Sequence, residues 1–243
     1  MKTLQFQAIF TEQSQIQQYP KTLQFSNTHK HANCQISEGG KVVECSGGSW
    51  YYCLCEQAIP KTGKIVFAFQ MISGQCFMVG IGFRDIIQKN NYIGNCGVGY
   101  GSYLIRNNGQ TYSHHNKDVN DKQLSFTYTT NDVIIMEVSI EHKYIKWTRQ
   151  NNPLATVQLE IDTSISQELY PCVNIHTSKV KILDNIIICR QNYTQAYINF
   201  KLQFILNHEK ELSNYKNITI SLQKLIIIKR YSKFICFSTY KQL

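Results

Sequence analysis

Glu137-Val-Ser-Ile-Glu141 is the first stretch whose residue types and spacing could do chemistry. Two carboxylates on one strand are what a retaining glycosidase needs, one as nucleophile and one as acid and base. Period 2 puts Glu137, Ser139 and Glu141 on one face of a strand. A rise of about 3.3 Å per residue sets the two Cα atoms about 13 Å apart. A retaining pair holds its carboxyl groups about 5–5.5 Å apart. The side chains would have to lean together around an ordering acid, and that position holds Ser139. The wet face of a half-buried strand explains the same residues without catalysis.

His29, His31, Cys34, Cys45, Cys53 and Cys55 form the one cluster rich in metal-ligand types. Structural zinc sites use Cys-x2–4-Cys and His-x3–5-His spacings. Here Cys53-Leu-Cys55 and His29-Lys-His31 leave single-residue gaps, so no metal and no other cofactor is expected. The nine cysteines are odd in number and irregularly spaced. Met1–Gln7 lacks the apolar stretch of a secretory signal. Free thiols in a reducing compartment, and a cytoplasmic location, are the expectation. Cys76, Cys96 and Cys172 lie in apolar runs and read as small core residues. The sequons at Asn192 and Asn217 then read as chance matches. His114-His115 reads as a polar loop pair, and no Ser-His-Asp or Cys-His-Asn set follows from chain order. Gly94-Asn-Cys-Gly-Val-Gly-Tyr-Gly has a phosphate loop's glycines but lacks its lysine and following helix.

Composition points to sheets. The chain has 243 residues, 43% hydrophobic and 17% charged, which excludes a wholly disordered protein. Fifteen Tyr, twelve Phe and frequent Ile favour strands. The net charge is +9, but from Tyr197 onward eight basic residues face only two acids. The basic character therefore belongs to a tail, and nucleic acid is not an expected partner. Within that tail Ile218–Phe237, cut by Lys224, Lys229, Arg230 and Lys233, has an alternative reading as a membrane-surface element.

Residues 1–20 read as a Gln-rich arm in which Thr11–Gln18 could make a short helix. Residues 21–190 alternate short apolar runs with turn signals, and 191–243 form the basic tail. The runs are 41–45, 49–56, 63–71, 76–83, 95–104, 124–128, 132–141, 144–148, 155–161, 170–176 and 179–183. Eleven runs of this spacing predict an all-β antiparallel sandwich or barrel. Ile65–Phe69 and Phe77–Phe83 are nearly continuous and predict central strands buried on both faces.

Several segments, in order, resemble a SPRY domain. Phe77-Met-Val-Gly-Ile-Gly-Phe resembles its "vGv" strand. The stretch from Gly99 to His114 resembles its "gwgY…dG…h" block, with Tyr103, Gly109 and His114 in the matching places. Asn131-Asp-Val-Ile resembles "GDvIg", with Asn for Gly, a residue that tolerates a left-handed turn. The segment from Tyr144 to Leu154 resembles "i.FtkNg..lg", with Trp147 for Phe and Asn152 for Gly. Leu169-Tyr-Pro-Cys-Val resembles "lyPav". The Asn, Gln, Ile and Lys bias is similar to that of ciliate proteins.

The resemblance implies a concanavalin A-like jelly roll and a non-catalytic module that binds a protein or peptide through edge loops, as an intracellular adaptor or substrate receptor. The expected contact residues are Arg84, Asp85, Tyr103, Arg106, Asn107, Asn108, Tyr112, His114 and Arg149. Trp147 reads as core. A lectin-like carbohydrate-binding module on the same architecture is the alternative, with Tyr51 and Tyr52 as platforms. A degenerate laminarinase-like glycosidase is another, since that family carries Glu-x-Asp-x-Glu on one strand. Tripartite-motif proteins place a zinc-binding B-box before a SPRY domain, but residues 29–55 here also carry the first strands.

Overall fold

The structure, a computed structural model, describes residues 16–18, 22–184 and 186. The rest of the arm and the tail from 187 onward, with its membrane-surface reading, lie outside the described residues. In chain order the strands begin β1 (Ile16–Gln18), β2 (Phe25–Lys30), β3 (Cys34–Ser37), β4 (Val42–Cys45), β5 (Tyr51–Cys55), β6 (Lys64–Ser73) and β7 (Cys76–Phe83). One turn and a half of helix, α1 (Arg84–Lys89), follows. The remaining strands are β8 (Ser102–Arg106), β9 (Gln110–Tyr112), β10 (Lys122–Gln123), β11 (Val133–Ser139), β12 (Tyr144–Arg149), β13 (Asn152–Glu160), β14 (Leu169–His176) and β15 (Ser178–Ile182).

Two sheets result among the described residues. The first runs β13-β12-β11-β6-β15-β4-β3, with β1 also beside β6; the second runs β10-β9-β8-β7-β14-β5-β2. Every ladder is antiparallel except β1 with β6. The expected all-β sandwich is what forms. Residues 16–18, expected as the end of a short helix, are strand instead, because the edge of β6 offers backbone partners that an isolated Gln-rich turn cannot supply.

The core lies between the sheets. Phe67, Phe69, Ile134 and Met136 of the first sheet meet Phe77, Val79, Ile81 and Val173 of the second. Trp147 of β12 is fully buried, and its indole N–H donates to the Val79 carbonyl of β7 (3.0 Å), tying one sheet to the other. Strand β11 alternates as its sequence does: Ile134, Met136 and Val138 are buried and Ile135 and Glu137 half-exposed. Strand β7 is buried on both faces because a second apolar cluster covers its outer side. That cluster holds Tyr52, Leu54, Met78, Ile87, Leu104, Tyr112, Tyr170 and Cys172.

Several boundaries differ from the sequence expectation. The run at 95–104 is strand only from Ser102, because Gly99 and Gly101 take positive φ and break it. The run at 124–128 is a plug rather than a strand: the buried Tyr128 hydroxyl donates to the Ile105 carbonyl (2.8 Å). Strands β2, β3 and β9 and helix α1 were not expected. Asn131 does take the left-handed conformation (φ 72), as its replacement of Gly predicts. Among the described residues no helix is long and apolar enough to cross a membrane.

The free-thiol expectation is corrected at one place. Cys34 and Cys45 face each other across β3 and β4 and form a disulfide. Both point into the core, where in-register antiparallel strands bring their Cα atoms to 4.1 Å. Cys172 is a buried core thiol as expected, but Cys76 and Cys96 are only half-buried.

Candidate functional site

The expected contact residues do not form one surface. Arg84 opens α1 and reaches back to β5, donating to the Cys55 carbonyl (2.8 Å) and the Glu56 carbonyl (3.1 Å). Its guanidinium carbon sits 3.5 Å from the Tyr170 ring centroid, a cation–π contact. It therefore pins α1 to the second sheet, while Asp85 beside it is exposed. Arg149 is tied to the buried carboxylate of Asp132 through Nε (3.0 Å) and Nη2 (2.9 Å). Asp132 Oδ2 in turn accepts the Thr129 N–H (2.8 Å), so Arg149 stabilises the turn before β11.

Tyr103 is corrected outright as a contact residue. It is 0% exposed, so it presents no side-chain surface to a partner. Its hydroxyl accepts the Asp162 N–H (2.9 Å) and shares a hydrogen bond with His115 Nδ1 (3.0 Å). Burial pushes this phenol up from its ordinary value, against the Asp162 N–H, which lowers it. His114 is likewise a structural support. Its Nδ1 accepts the Gly101 N–H (2.9 Å), its carbonyl accepts the Gly99 N–H (2.7 Å), and its ring packs edge-on against Phe83. Burial, then the neighbouring His115, lowers its pKa. Asn107 closes the β8–β9 hairpin: its Oδ1 accepts the Phe77 N–H (3.3 Å) and its Nδ2 donates to the Gln75 carbonyl (2.8 Å). Tyr112 is buried on the outer face of the second sheet.

Arg106 is placed differently. Directly opposed residues of antiparallel strands share a face. Register pairs Tyr52 with Asn174, Asn174 with Met78 and Met78 with Arg106, a row across β5, β14, β7 and β8. Tyr52 and Met78 belong to the outer cluster, so the whole row lies on the outer face of the second sheet. The Arg106 guanidinium carbon stands 4.9 Å from the Trp50 ring centroid, and its Nη1 donates to Gln110 Oε1 (3.3 Å). Trp50 packs on the cluster and tilts against His176 at 6.0 Å. Asn108, at the exposed hairpin tip, donates to the same Gln110 oxygen (2.7 Å).

This row contains polar atoms with nothing to bond. Asn174 is 0% exposed, and neither Oδ1 nor Nδ2 of its amide has a hydrogen-bond partner. It lies beside the Tyr52 hydroxyl, but that group is already committed to Ser102 (2.8 Å) and the Asn95 carbonyl (3.1 Å). Arg106 Nε is also buried and unpartnered. An unsatisfied buried polar group costs about 1–3 kcal/mol. Two such groups on the central strands of one face are an arrangement that packing alone does not favour. Sequence reading missed Asn174; its place in a run of seven buried residues, Leu169–Ile175, is the signal that could have found it.

The segment 91–101 borders this face. It is held to the strand before β5 by the Gly94 N–H, which donates to the Trp50 carbonyl (2.8 Å), and by a bridge between Ile93 and Tyr51. A side chain on Gly94 would meet Trp50 Cβ at 2.2 Å, so the close approach needs glycine. The same segment exposes Ile93, Val98 and Tyr100.

The other candidate chemistries come apart. Strand β11 ends at Ser139, so Glu141 lies in the following turn and accepts the Gly63 N–H (3.0 Å), while Glu137 accepts from the Tyr144 hydroxyl (2.5 Å). The two carboxylates are not a facing pair. Ser139, where an ordering acid would stand, is buried and donates to the Gly63 carbonyl (3.0 Å). Cys34 and Cys45 are joined, His31 stacks on Tyr51 at 4.0 Å, and His29 bonds the Tyr92 hydroxyl. Among the described residues no three His, Cys, Asp or Glu groups converge as metal ligands. Tyr52 is buried, which removes one of the two sugar platforms.

Comparison with solved structures places the fold. The SPRY domain of human HERC1 superposes with a TM-score of 0.53 at 20% identity, over 68% of this chain and 99% of that one. The PSpry domain of TRIM65 gives 0.53 at 11% identity, over 69% and 94%. Stonustoxin gives 0.51 at 12% identity over 68% of this chain, which matches 27% of the toxin. The described residues thus have the fold of SPRY domains. No family model matches the sequence, and no curated protein matches it.

Proposed function

We propose that the domain is a non-catalytic protein-recognition module, serving as an adaptor or substrate receptor, and that it binds through the outer face of its second sheet. The observation that carries this reading is the unpartnered amide of Asn174 beside the unpartnered Nε of Arg106, on the face that Trp50 covers. An amide with a free donor and a free acceptor matches a peptide group or a carboxamide, which offers both in return. Trp50 and Arg106 are the residue types that dominate the energetics of protein interfaces. Ile93, Val98 and Tyr100 supply apolar area at the border of the same face.

The experiment is selection of peptides from a random display library against the full chain, in parallel with the Arg106→Ala chain. Sequences that enrich on the first and bind the second at least tenfold more weakly support the reading. Selected peptides that bind both equally contradict it. A glycan array run beside it decides against the protein partner if sugars alone bind.

A further inference from the structure

The first sheet ends at β13, and this edge is unlike the other three among the described residues. Strand β10 has two residues and β3 four, and the pairing of β2 with β5 is interrupted between Phe25 and Lys30. Short or irregular edges do not template another strand. Strand β13 runs nine residues and pairs with β12 on one side only. From Asn152 to Leu159 it carries no charged side chain, so it lacks the lysines that usually guard an edge. Leu154 on its outer face is 87% exposed, more than any other large apolar side chain described.

We propose that β13 pairs with β13 of a second copy of this chain, antiparallel about a two-fold axis at Thr156. This inference stands apart from the recognition reading, which concerns the other sheet. A two-fold axis on a strand gives a self-complementary interface. Centred at Thr156, it aligns all nine residues and keeps each face on its own side, since the side-chain period is 2. Leu154 then lies against Gln158 of the partner subunit, and Ala155 against Val157 of the partner subunit. Glu160 meets Asn152 of the partner subunit, so no like charges are opposed. Pro153, which has no N–H to give, falls next to the strand's end where it interrupts the ladder least. An extended peptide of another protein added at this edge is the competing occupant.

Sedimentation of the full chain across the micromolar range tests this. The wild type is expected to dimerise. Leu154→Lys with Gln158→Lys sets lysine against lysine twice, and dimer affinity falls at least tenfold. Leu154→Glu with Gln158→Glu does the same, and an equimolar mixture of the two variants restores the dimer. A monomeric wild type, whether or not it takes up extended peptides at β13, overturns the proposal. So does a lysine variant that dimerises as tightly as the wild type, or a mixture of folded variants that stays monomeric.

Discussion

The guanidinium carbon of Arg106 stands 4.9 Å from the centroid of the Trp50 ring, and the Nε of the same side chain has no hydrogen-bond partner. A cation held against an indole with one donor unused is an unfinished interaction. The cation–π contact is worth about 0.5–2 kcal/mol, while the missing bond costs about as much. The same row holds Asn174, whose whole amide is in that condition. Stability alone gives no reason to keep either group, which is why this face is assigned the recognition role.

Asn174 therefore separates stability from function. Asn174→Leu replaces two unpartnered polar atoms with apolar ones of similar volume. The unfolding free energy is expected to rise by about 1–3 kcal/mol, read from denaturant midpoints at constant slope. Affinity for a selected peptide is expected to fall in the same variant. A loss of stability would mean the amide is satisfied by a bond absent from the structure.

Tyr103→Phe removes the acceptor of the Asp162 N–H and the link to His115. A cost of about 1–2 kcal/mol is expected. Peptide affinity should not change, because Tyr103 is fully buried. An unchanged midpoint would show that the hydroxyl anchors nothing.

The fold is expected to lose stability in mild acid. Burial lowers the pKa of His29, His31 and His114 below the ordinary 6.5, with the cations Arg84 and Lys30 and the neighbouring His115 as the further causes, in that order. The unfolded chain then takes up protons first as pH falls. These groups give their full contribution above 6.5, and it drains away below that value as the unfolded chain protonates. His114→Asn keeps an acceptor near the Gly101 N–H and removes the titration, so its midpoint should vary less between about pH 7 and pH 5. Equal slopes for wild type and variant would exclude His114 as a contributor.

Reduction of the Cys34–Cys45 bond, which closes a separation of 11 residues, should lower stability by about 2–3 kcal/mol. Mass analysis of the unreduced protein should find these two cysteines joined and Cys53, Cys55 and Cys172 free. Burial pushes those three thiols up, so they should resist alkylation until the chain unfolds. Rapid labelling of the folded protein at Cys53 would contradict the packing.

The architecture was legible because its strands announce themselves. Continuous apolar runs marked β6 and β7 as buried on both faces, and Met136-Glu-Val alternation marked β11. Trp147 could be read as core, and Asn131 as a left-handed turn. Helix α1 was not legible, since six residues between glycine-rich segments carry too little periodicity. The disulfide was not legible either, because it depends on the register of β3 against β4 and not on spacing. The site was read by residue type, which finds Arg106 but cannot tell it from Arg84 and Arg149, two arginines engaged in holding turns and helix ends. Only the cross-strand register reveals that Arg106 shares a face with Asn174.

The most direct test of the central claim is the dissociation constant of one display-selected peptide for the full chain and for Arg106→Ala, with denaturant midpoints measured on both. The outer-face account predicts binding at least tenfold weaker in the variant, with midpoints that agree within about 1 kcal/mol. Equal affinity for both chains would contradict it and move the binding surface away from the second sheet.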